Sequence, residues 1–293
     1  MILFHSGLSR DFDGPGLRLV FYLKGCNFHC DWCASPESIS PIPEILYYKE
    51  RNQDTKGCHC PEKAYSENGN LNREICKRCS AYHCINIWHN PAFELAGEKI
   101  SAEGILKKTE KYSGLIDGVT FGGGEPTLQE ELPHVIRLLK TNGFHTALES
   151  NASTPFYQNL IGEVDLLYSD LKTLNPEIVR TRIKGDLSLV KDNLMSAARN
   201  QKDFILRIPV IRGVNTDAQD QEEIVSFCCN LQNARPDKLL NVELLRQHHL
   251  GEPKYNALGK QYLLQGKPAA TQDEVNSFGK KMEDAGIRIK IFA

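Results

Sequence analysis

Three cysteines lie close together in the segment Gly25-Cys26-Asn27-Phe28-His29-Cys30-Asp31-Trp32-Cys33, with the spacing Cys-x3-Cys-x2-Cys. Three thiolates on one short loop can bind three irons of a cubane 4Fe–4S cluster. No fourth cysteine follows nearby, so one iron would keep an open coordination position, as a catalytic metal site does. The alternative is a set of buried structural thiols, but polar residues stand between the cysteines. We predict that the metal ligands are Cys26, Cys30 and Cys33.

Two further motifs place polar groups where a ligand could bind. Gly122-Gly123-Gly124-Glu125-Pro126 follows a predicted strand; glycines let the backbone approach a ligand closely, and Glu125 can accept from an ammonium. Asp170-Leu171-Lys172 follows another predicted strand, and alternation along an extended chain turns both charges to one side. Taken alone, the first motif could be an ordinary glycine-rich turn, and the second could be a solvated charge pair.

Short apolar, β-favouring runs predict the strands that position these motifs. They are residues 17–23, 119–121, 146–148, 166–168, 204–210 and 239–245. The apolar pattern between residues 127 and 142 predicts a helix, with Gly143 where a C-terminal cap belongs. Strands that alternate with helices form parallel βα units, and functional groups then lie on the loops that follow the strands.

The composition limits the class of protein. The chain has 293 residues, 41% hydrophobic and 25% charged, which suits one large α/β domain with an insertion. Because the net charge is only −2 and neither a secretory signal nor a long apolar run is present, we expect no nucleic-acid or membrane partner. The 10 cysteines then indicate metal or redox chemistry in a reducing, anaerobic cytoplasm. Cys228 and Cys229 lie in an apolar stretch and are interpreted as core thiols.

Residues 41–97 interrupt the alternation of strands and helices. The segment is polar and charged, and five cysteines lie between Cys58 and Cys84. Since it lacks enough apolar residues to close a core by itself, we predict an inserted small domain closed by metal. Residues 1–40 and 98–293 would form the main domain.

Taken in order, the motifs of the main domain resemble those of the radical S-adenosylmethionine (SAM) superfamily. The resemblance implies a partial (β/α)6 TIM-like barrel whose open iron binds SAM. One electron from the cluster then cleaves SAM to methionine and a 5′-deoxyadenosyl radical. It also implies that Trp32 packs near the adenine and that Asp170 and Lys172 make polar contacts to SAM. The amino group of SAM would be bound by the motif Gly122, Gly123, Gly124 and Glu125.

A turn before the first predicted strand, Asp13-Gly14-Pro15-Gly16, narrows the resemblance. Together with Asp170-Leu171-Lys172 and residues 244–259, it is similar to the glycyl-radical-enzyme activating enzymes, of which pyruvate formate-lyase activating enzyme is one. In these oxidoreductases the deoxyadenosyl radical removes a hydrogen atom from a glycine of a partner glycyl radical enzyme, and no side chain acts as acid or base. The resemblance places Asp13 near the substrate peptide. It further implies a flavodoxin- or ferredoxin-type reductant and a monomer.

Two more SAM contacts are implied by this resemblance. Arg207, on an otherwise apolar strand, would bind the SAM carboxylate, with a structural salt bridge as the alternative. His248 would also contact SAM, although Arg246-Gln247 stands where the family usually has proline and an aromatic residue. Its neighbour His249 could be a surface residue or the ligand.

A cation site is a further implication. Related enzymes bind a monovalent cation near SAM through an acidic residue and a hydroxyl. In this chain Glu149, Ser150 and Asp170 could supply such oxygen ligands. Hydrogen bonding at a strand end is the alternative for Glu149 and Ser150.

The inserted segment resembles only loosely the ferredoxin-like insert of longer activating enzymes, which carries extra 4Fe–4S clusters. Five cysteines are too few for two cubanes. We predict one auxiliary cluster on four of them, Cys60, Cys76, Cys79 and Cys84. Cys58 is an alternate ligand, and a structural zinc is the alternative metal. His59 and His83 could also ligate.

Two other functions remain as alternatives. A radical SAM enzyme could act on a small molecule, as a deazapurine-forming synthase does. An iron–sulfur protein could also serve electron transfer or redox sensing without SAM chemistry. SAM cleavage separates the second alternative from the others, and a glycyl radical on a partner separates the first from the activating enzymes.

Overall fold

A large, mostly parallel sheet carries the fold. The computed structural model describes residues 1–52, 60–66, 69–86, 90–235 and 238–292. Within these ranges the strands are β1 (Ile2–Arg10), β2 (Leu17–Leu23), β3 (Glu44–Tyr47), β4 (Phe93–Ala96), β5 (Glu98–Lys99), β6 (Gly118–Gly123), β7 (Thr146–Ser150), β8 (Leu166–Asp170), β9 (Asp203–Val210), β10 (Asn241–Arg246) and β11 (Arg288–Phe292). β3 pairs with β4, and the others form one sheet in the order β11-β10-β9-β8-β7-β6-β2-β1-β5.

The parallel part of the sheet is the partial (β/α)6 TIM-like barrel that the sequence predicts. β2, β6, β7, β8, β9 and β10 lie side by side and run in one direction. β11 extends this parallel row at one edge, and antiparallel β1 and β5 close the other. Strands covered on both faces are apolar throughout, and β2 illustrates this with buried Val20, Phe21 and Leu23.

Helices connect the strands and cover the sheet. They are α1 (Arg73–Cys76), α2 (His83–Asn86), α3 (Ala102–Glu110), α4 (Leu132–Thr141), α5 (Pro176–Ile178), α6 (Leu187–Asn200), α7 (Ala218–Asn233), α8 (Glu252–Ala257) and α9 (Gln272–Asp284). Their apolar faces, such as Val135, Ile136 and Leu139 of α4, join the main core. Among the helices of the described residues, none is long and apolar enough to cross a membrane.

The predicted strands are present, with bounds that differ by at most two residues from those expected. The helix predicted from residue 127 begins later, at Leu132. The preceding residues form a 3₁₀ turn, Pro126–Leu128, and Pro133 fits the first turn of a helix because that position needs no N–H donor. Gly143 follows α4 with a φ of 82°, as a C-terminal cap requires. The sequence did not predict β1 or β11.

Part of the described chain within residues 41–97 packs around a small core cluster of its own. Tyr47 stacks on Phe93 with ring centroids 4.9 Å apart, and Tyr65 meets both rings edge-on. Ile45 and Ala92 complete this buried cluster. Lys24, at the end of β2, reaches into the segment and lies 3.1 Å from the Glu44 carboxylate of β3.

Candidate active site

The loop after β2 places three thiols at the carboxyl ends of the parallel strands. Backbone hydrogen bonds hold this loop on both sides: Gly25 donates to Ser38 at 2.7 Å, and His29 donates to Ile183 at 2.8 Å. The three predicted cluster ligands line one cavity of about 280 Å³, and they are Cys26, Cys30 and Cys33.

The surroundings of these thiols suit iron coordination. Burial raises the pKa of each thiol, to about 12 for Cys30. Since metals bind the thiolate, coordination would offset the cost of burying its charge. Two donors already face Cys26 Sγ, the Phe28 N–H at 3.4 Å and the Asn151 amide at 3.7 Å. Such hydrogen bonds to sulfur are a usual part of iron–sulfur sites, so the residues fit a cluster.

The glycine-rich turn after β6 presents its backbone to the cavity. A Cβ on Gly124 would lie 2.2 Å from the Gly25 carbonyl oxygen, so only glycine lets this turn and the cysteine loop meet. Gly123 has a φ of 112°, which favours glycine. Gly122 lies within β6, where a Cβ would come within 2.6 Å of the Glu149 carboxylate. Gly123 and Gly124 line the cavity.

The Glu125 carboxylate is turned away from the cavity. It is fully buried, and burial raises its pKa. It accepts from the Thr127 hydroxyl at 2.6 Å, the Ser150 hydroxyl at 2.8 Å and the Asn151 N–H at 2.7 Å. These donors occupy both carboxylate oxygens, so the side chain ties the turn after β6 to the end of β7. The contact to an ammonium that is expected of Glu125 stays a prediction.

Asp170 and Lys172 face the cavity together, as alternation along the strand predicts. Lys172 Nζ lies 2.5 Å from Asp170 Oδ2. Burial lowers the pKa of Lys172, but the Asp170 carboxylate and the nearby Cys30 thiol outweigh this, and the pKa is raised. The lysine is therefore a fixed positive charge beside the cysteine loop.

Arg207 lies in the barrel interior and outside the cavity lining. Its guanidinium pairs with Glu149 and, at 2.8 Å, with Glu243, which stands directly opposite on β10. It also lies 3.8 Å from the centre of the Tyr168 ring and donates to the Phe12 carbonyl. The contacts in this structure are those of the structural salt bridge, the alternative to a SAM carboxylate contact.

Asp13 lies half-buried in the turn between β1 and β2. The Thr120 hydroxyl donates to the Asp13 carbonyl at 2.6 Å, and the Asp13 carboxylate accepts from Ser9 and, at 3.4 Å, from Tyr22. The structure places this residue outside the cavity lining. The neighbouring Phe12 is 66% exposed, so the turn reaches solvent beside Asp13.

Glu149 and Ser150, at the end of β7, both line the cavity. Burial raises the pKa of Glu149 to about 7; Arg207 opposes this shift, and the Asp13 and Asp170 carboxylates add to it. The Ser150 hydroxyl donates to Glu125 and accepts from the Ala152 N–H at 3.0 Å, which leaves one lone pair of its oxygen for a further partner.

Residues after β10 close the cavity from the opposite side. His248 lines it, and burial lowers the pKa of that imidazole. His249 faces Tyr262 instead, with Nδ1 2.9 Å from the hydroxyl. Trp32, which is 8% exposed, lines the cavity under the guanidinium of Arg182, 5.7 Å from the ring centre. Of the two histidines, the structure therefore brings only His248 to the predicted site.

Sequence reasoning missed several residues of the cavity lining. They are Asn151, Pro209, Ile211, Leu245 and Gln247. Each lies at or just after the carboxyl end of a parallel strand. Position alone could have found them, because ligand sites of parallel barrels form at that edge.

The cysteines of the inserted segment face a second, smaller cavity. Four line it together with His83 and the aromatic core, and they are Cys60, Cys76, Cys79 and Cys84. Burial and the neighbouring thiols raise the pKa of Cys84 to about 12. Cys58 and His59 lie outside the described residues. Within the described ranges, no three His, Cys, Asp or Glu side chains are close enough to share one metal ion.

Comparison with known proteins gives consistent matches. The model of the Radical SAM superfamily matches residues 20–228. A (2S)-3-sulfopropanediol dehydratase activating enzyme from Klebsiella oxytoca is 34% identical over 85% of this chain and 83% of its own length. A 4-hydroxyphenylacetate decarboxylase activating enzyme from Clostridioides difficile is 30% identical over 94% of this chain and 90% of its own. The crystal structure of QueE from Escherichia coli has a TM-score of 0.50 at 14% identity, covering 100% of this chain and 93% of that one, a likeness of fold alone.

Proposed function

Because the chain belongs to the radical SAM superfamily and, within it, to the activating enzymes of glycyl radical enzymes, we propose that Cys26, Cys30 and Cys33 hold its 4Fe–4S cluster and that the adjoining cavity holds SAM. The observation that carries this proposal is that several strand ends meet at one cavity. The ends of six neighbouring parallel strands all contribute to the cavity into which the three thiols open.

Each wall of the cavity offers SAM a different kind of contact. The backbone at Gly123 and Gly124 suits an ammonium, and the Asp170–Lys172 pair offers both signs of charge. Trp32 offers an apolar ring to the adenine, and His248 stands at the opposite side. Glu125 supports the glycine turn from beneath, and Arg207 holds Glu149 in place.

The cluster and SAM, when bound, supply the one-electron chemistry that removes a hydrogen atom from a glycine of the partner protein. The chain's own residues would bind the cluster and SAM and orient them. The three thiols are half-buried beside apolar residues of the cavity wall, and no side chain is needed as acid or base. Positioning is therefore what the fold contributes.

The inserted segment, residues 41–97, is proposed as a separate domain that binds one auxiliary 4Fe–4S cluster through Cys60, Cys76, Cys79 and Cys84. Around zinc, sulfur ligands at about 2.3 Å from one ion must lie close together, whereas each cysteine on a cubane binds its own iron. The four described thiols line one cavity, which supports a shared metal site. A zinc site remains the alternative outcome of metal analysis.

The partner is proposed to be a glycyl radical enzyme that presents a glycine loop near its C-terminus, with Asp13 and the exposed turn between β1 and β2 near the entering peptide. A flavodoxin- or ferredoxin-type protein would supply the electron. We further propose that Glu149, Ser150 and Asp170 bind a monovalent cation, and that the enzyme is a cytoplasmic monomer. The thiols of the described cysteines are all free, in keeping with a reducing compartment.

The test is anaerobic. The reconstituted protein, SAM and a one-electron reductant are mixed with candidate glycyl radical enzymes, and the partner is examined by EPR. A glycyl doublet on a partner, absent when its glycine is replaced by alanine, is the expected result. Cleavage of SAM without a glycyl radical on any cognate partner would favour a small-molecule substrate, and a stable cluster without SAM cleavage would favour electron transfer or sensing.

A further inference from the structure

Asn151 lies beside the cysteine loop with its side chain turned towards Cys26. It follows β7 and is 6% exposed, and its Nδ2 lies 3.7 Å from Cys26 Sγ. We propose that Asn151 is a positioning residue that donates a hydrogen bond to the iron-bound sulfur of Cys26 and thereby raises the reduction potential of the cluster. This inference rests on the proposed function, since it needs Cys26 to be a ligand.

The orientation of the Asn151 amide follows from its partner at Ser153. The backbone N–H of Ser153, which can only donate, lies 3.0 Å from Asn151 Oδ1. The amide oxygen must therefore face Ser153, and the NH₂ group faces the sulfur. The reverse orientation would set two N–H groups against each other and leave an oxygen against Cys26.

The neighbouring amide of Asn27 leads to the same orientation. Asn27 Nδ2 donates to the Ser153 carbonyl at 3.2 Å and to its hydroxyl at 2.7 Å. A carbonyl can only accept, so Asn27 presents its Oδ1 to Asn151, whose Nδ2 donates to it at 3.3 Å. The backbone of Ser153 thus fixes both amides. The second hydrogen of Asn151 Nδ2 remains for Cys26.

The turn that carries Asn151 is held from its other side. Ala152 has a φ of 56°, a conformation that a non-glycine residue keeps only where its surroundings impose it. Buried Asn193 imposes it by donating to the Ala152 carbonyl at 2.9 Å and the Thr154 carbonyl at 2.8 Å. The donor is therefore fixed against the sulfur.

An N–H donor stabilises a sulfur ligand more strongly as the negative charge on the sulfur grows. One-electron reduction by a low-potential donor adds negative charge that the cysteine sulfurs share. The hydrogen bond therefore favours the reduced state and raises the potential. Phe28 also donates to Cys26, but through its backbone, so Asn151 is the donor that substitution can remove.

The test removes this donor and keeps the turn. Asn151→Asp retains an oxygen for Ser153 and places a second oxygen against the sulfur. We expect a ratio of reduced to oxidised cluster roughly tenfold lower at a fixed solution potential, equivalent to about 59 mV for a one-electron couple. Asn151→Ala, which adds no charge, should shift the potential in the same direction by less. The comparison variant Ser153→Ala removes a hydroxyl that donates to Asn151 Oδ1 and accepts from Asn27 Nδ2 at 2.7 Å. It keeps the backbone N–H that orients the Asn151 amide, so it should shift the potential less than either Asn151 variant.

The measurement is an EPR-monitored redox titration of the anaerobically reconstituted enzyme, following the signal that changes when SAM is added. Wild-type potentials in the Asn151 variants, at wild-type iron and sulfide content, would overturn the inference, as would an equal shift in Ser153→Ala. If Asn151→Asp cannot hold the cluster, the reduction potential of Asn151→Ala alone tests the inference. A wild-type protein with no SAM-responsive signal would instead contradict the proposed function.

Discussion

Two sets of cysteines in this chain lie in different surroundings. Cys26, Cys30 and Cys33 share one loop, which is tied by backbone hydrogen bonds to residues 38–39 on one side and 182–183 on the other. The described cysteines of the insert are spread over residues 60–84, and their backbone bonds are local, such as the one from Cys79 to Cys76 at 3.1 Å. The first set rests on a long parallel sheet, and the second rests on short turns and a few aromatic rings.

The difference separates two ways of building a metal site. In the barrel, strand pairing and a large core already bring the ligands together, so a cluster would enter a preformed cavity. In the insert, the small core would leave more of the stability to the proposed metal, so that we expect binding and folding to be coupled there. Substitutions of Cys26, Cys30 or Cys33 should abolish SAM cleavage and keep the fold. Substitutions of the insert cysteines should destabilise the inserted segment alone.

The largest expected effect is on SAM cleavage, and it tests the three cysteines of the barrel loop. Cys30→Ala should bring 5′-deoxyadenosine formation below detection. The two remaining thiolates cannot hold the cluster against which SAM is oriented. The bound iron should fall by about four per chain, the content of one cubane. The product is measured by chromatography after anaerobic incubation with SAM and reductant, and iron is measured on the same sample.

Cys84→Ala is the matched variant in the insert. It should lose the second complement of metal, about four irons if the site is a cubane, while SAM cleavage and the SAM-responsive EPR signal persist. Loss of SAM cleavage as complete as in Cys30→Ala would show that the two sets do not act separately. A loss of zinc rather than iron would assign the structural alternative to the insert.

Glycine substitutions give the next largest contrast. Gly124→Ala forces a Cβ to 2.2 Å from the backbone of Gly25, so the glycine turn and the cysteine loop must move apart. We expect SAM cleavage to fall about 100-fold, the order of loss that small misplacement of reacting groups causes. Gly69→Ala in the insert meets nothing nearer than the Tyr47 hydroxyl at 3.5 Å and should cost only about 1–2 kcal/mol for its φ of 73°. Equal losses of activity in the two variants would contradict this contrast.

The same contrast explains what the sequence could predict. β2 is mostly apolar and ends three residues before Cys26, so its apolar run predicted the strand, and the spacing of the cysteines marked the loop that follows it. β1 was missed because its exposed and buried positions alternate irregularly and include His5, Ser6 and Gly7. The cavity lining was predicted at motif residues to which the resemblance gives a role, and missed at neighbours without one, such as Asn151 and Leu245.

Side-chain pairing across the sheet could not be predicted. The partners of Glu125 come from two other places in the chain, and Arg207 meets Glu243 only because β9 and β10 pair in that register. A sequence identifies a charged residue but does not give the register of its strand. A charged side chain that has an ion-pair partner therefore cannot be told from one that is available for a ligand. In the insert, local turns carry no comparable periodic signal, and the ligand set stays a prediction.

A third prediction concerns the ion pair that joins the two regions. Lys24 is fully buried, bonds the Glu37 carbonyl and pairs with Glu44 of the insert at 3.1 Å. Lys24→Met should lower the free energy of unfolding by about 3 kcal/mol. It removes a fully buried donor from the Glu37 carbonyl and leaves the half-buried Glu44 carboxylate to the more distant, exposed Lys260. Lys260→Met, which removes an exposed lysine 3.5 Å from the same Glu44, should cost under about 1 kcal/mol. Urea unfolding of the two variants under identical anaerobic conditions compares them, and equal costs would mean that the pair does not join the regions.

The smallest expected effect is a pH dependence that belongs to the barrel. Asp220, in the first turn of α7, accepts from the Thr173 hydroxyl at 3.0 Å and so holds the loop that carries Lys172. Burial raises the pKa of Asp220 to about 6, above its unfolded value of about 3.9. The folded state therefore favours the protonated carboxyl, whose stabilisation is fully present below about pH 4, is lost as pH rises to about 6 and changes little above it.

Asp220→Asn cannot ionise and should lack this decline. Its stability relative to the wild type should increase between about pH 4 and pH 6, by well under the roughly 3 kcal/mol that two pKa units correspond to, because nearby solvent screens the carboxylate. Urea unfolding of both proteins across this range measures the difference. Because the two proteins carry the same cysteines, any loss of metal at low pH affects both and cancels. Parallel pH profiles would mean that Asp220 is ionised in the fold and that Thr173 and the first turn of α7 stabilise its charge, as they would for an ordinary helix-capping carboxylate.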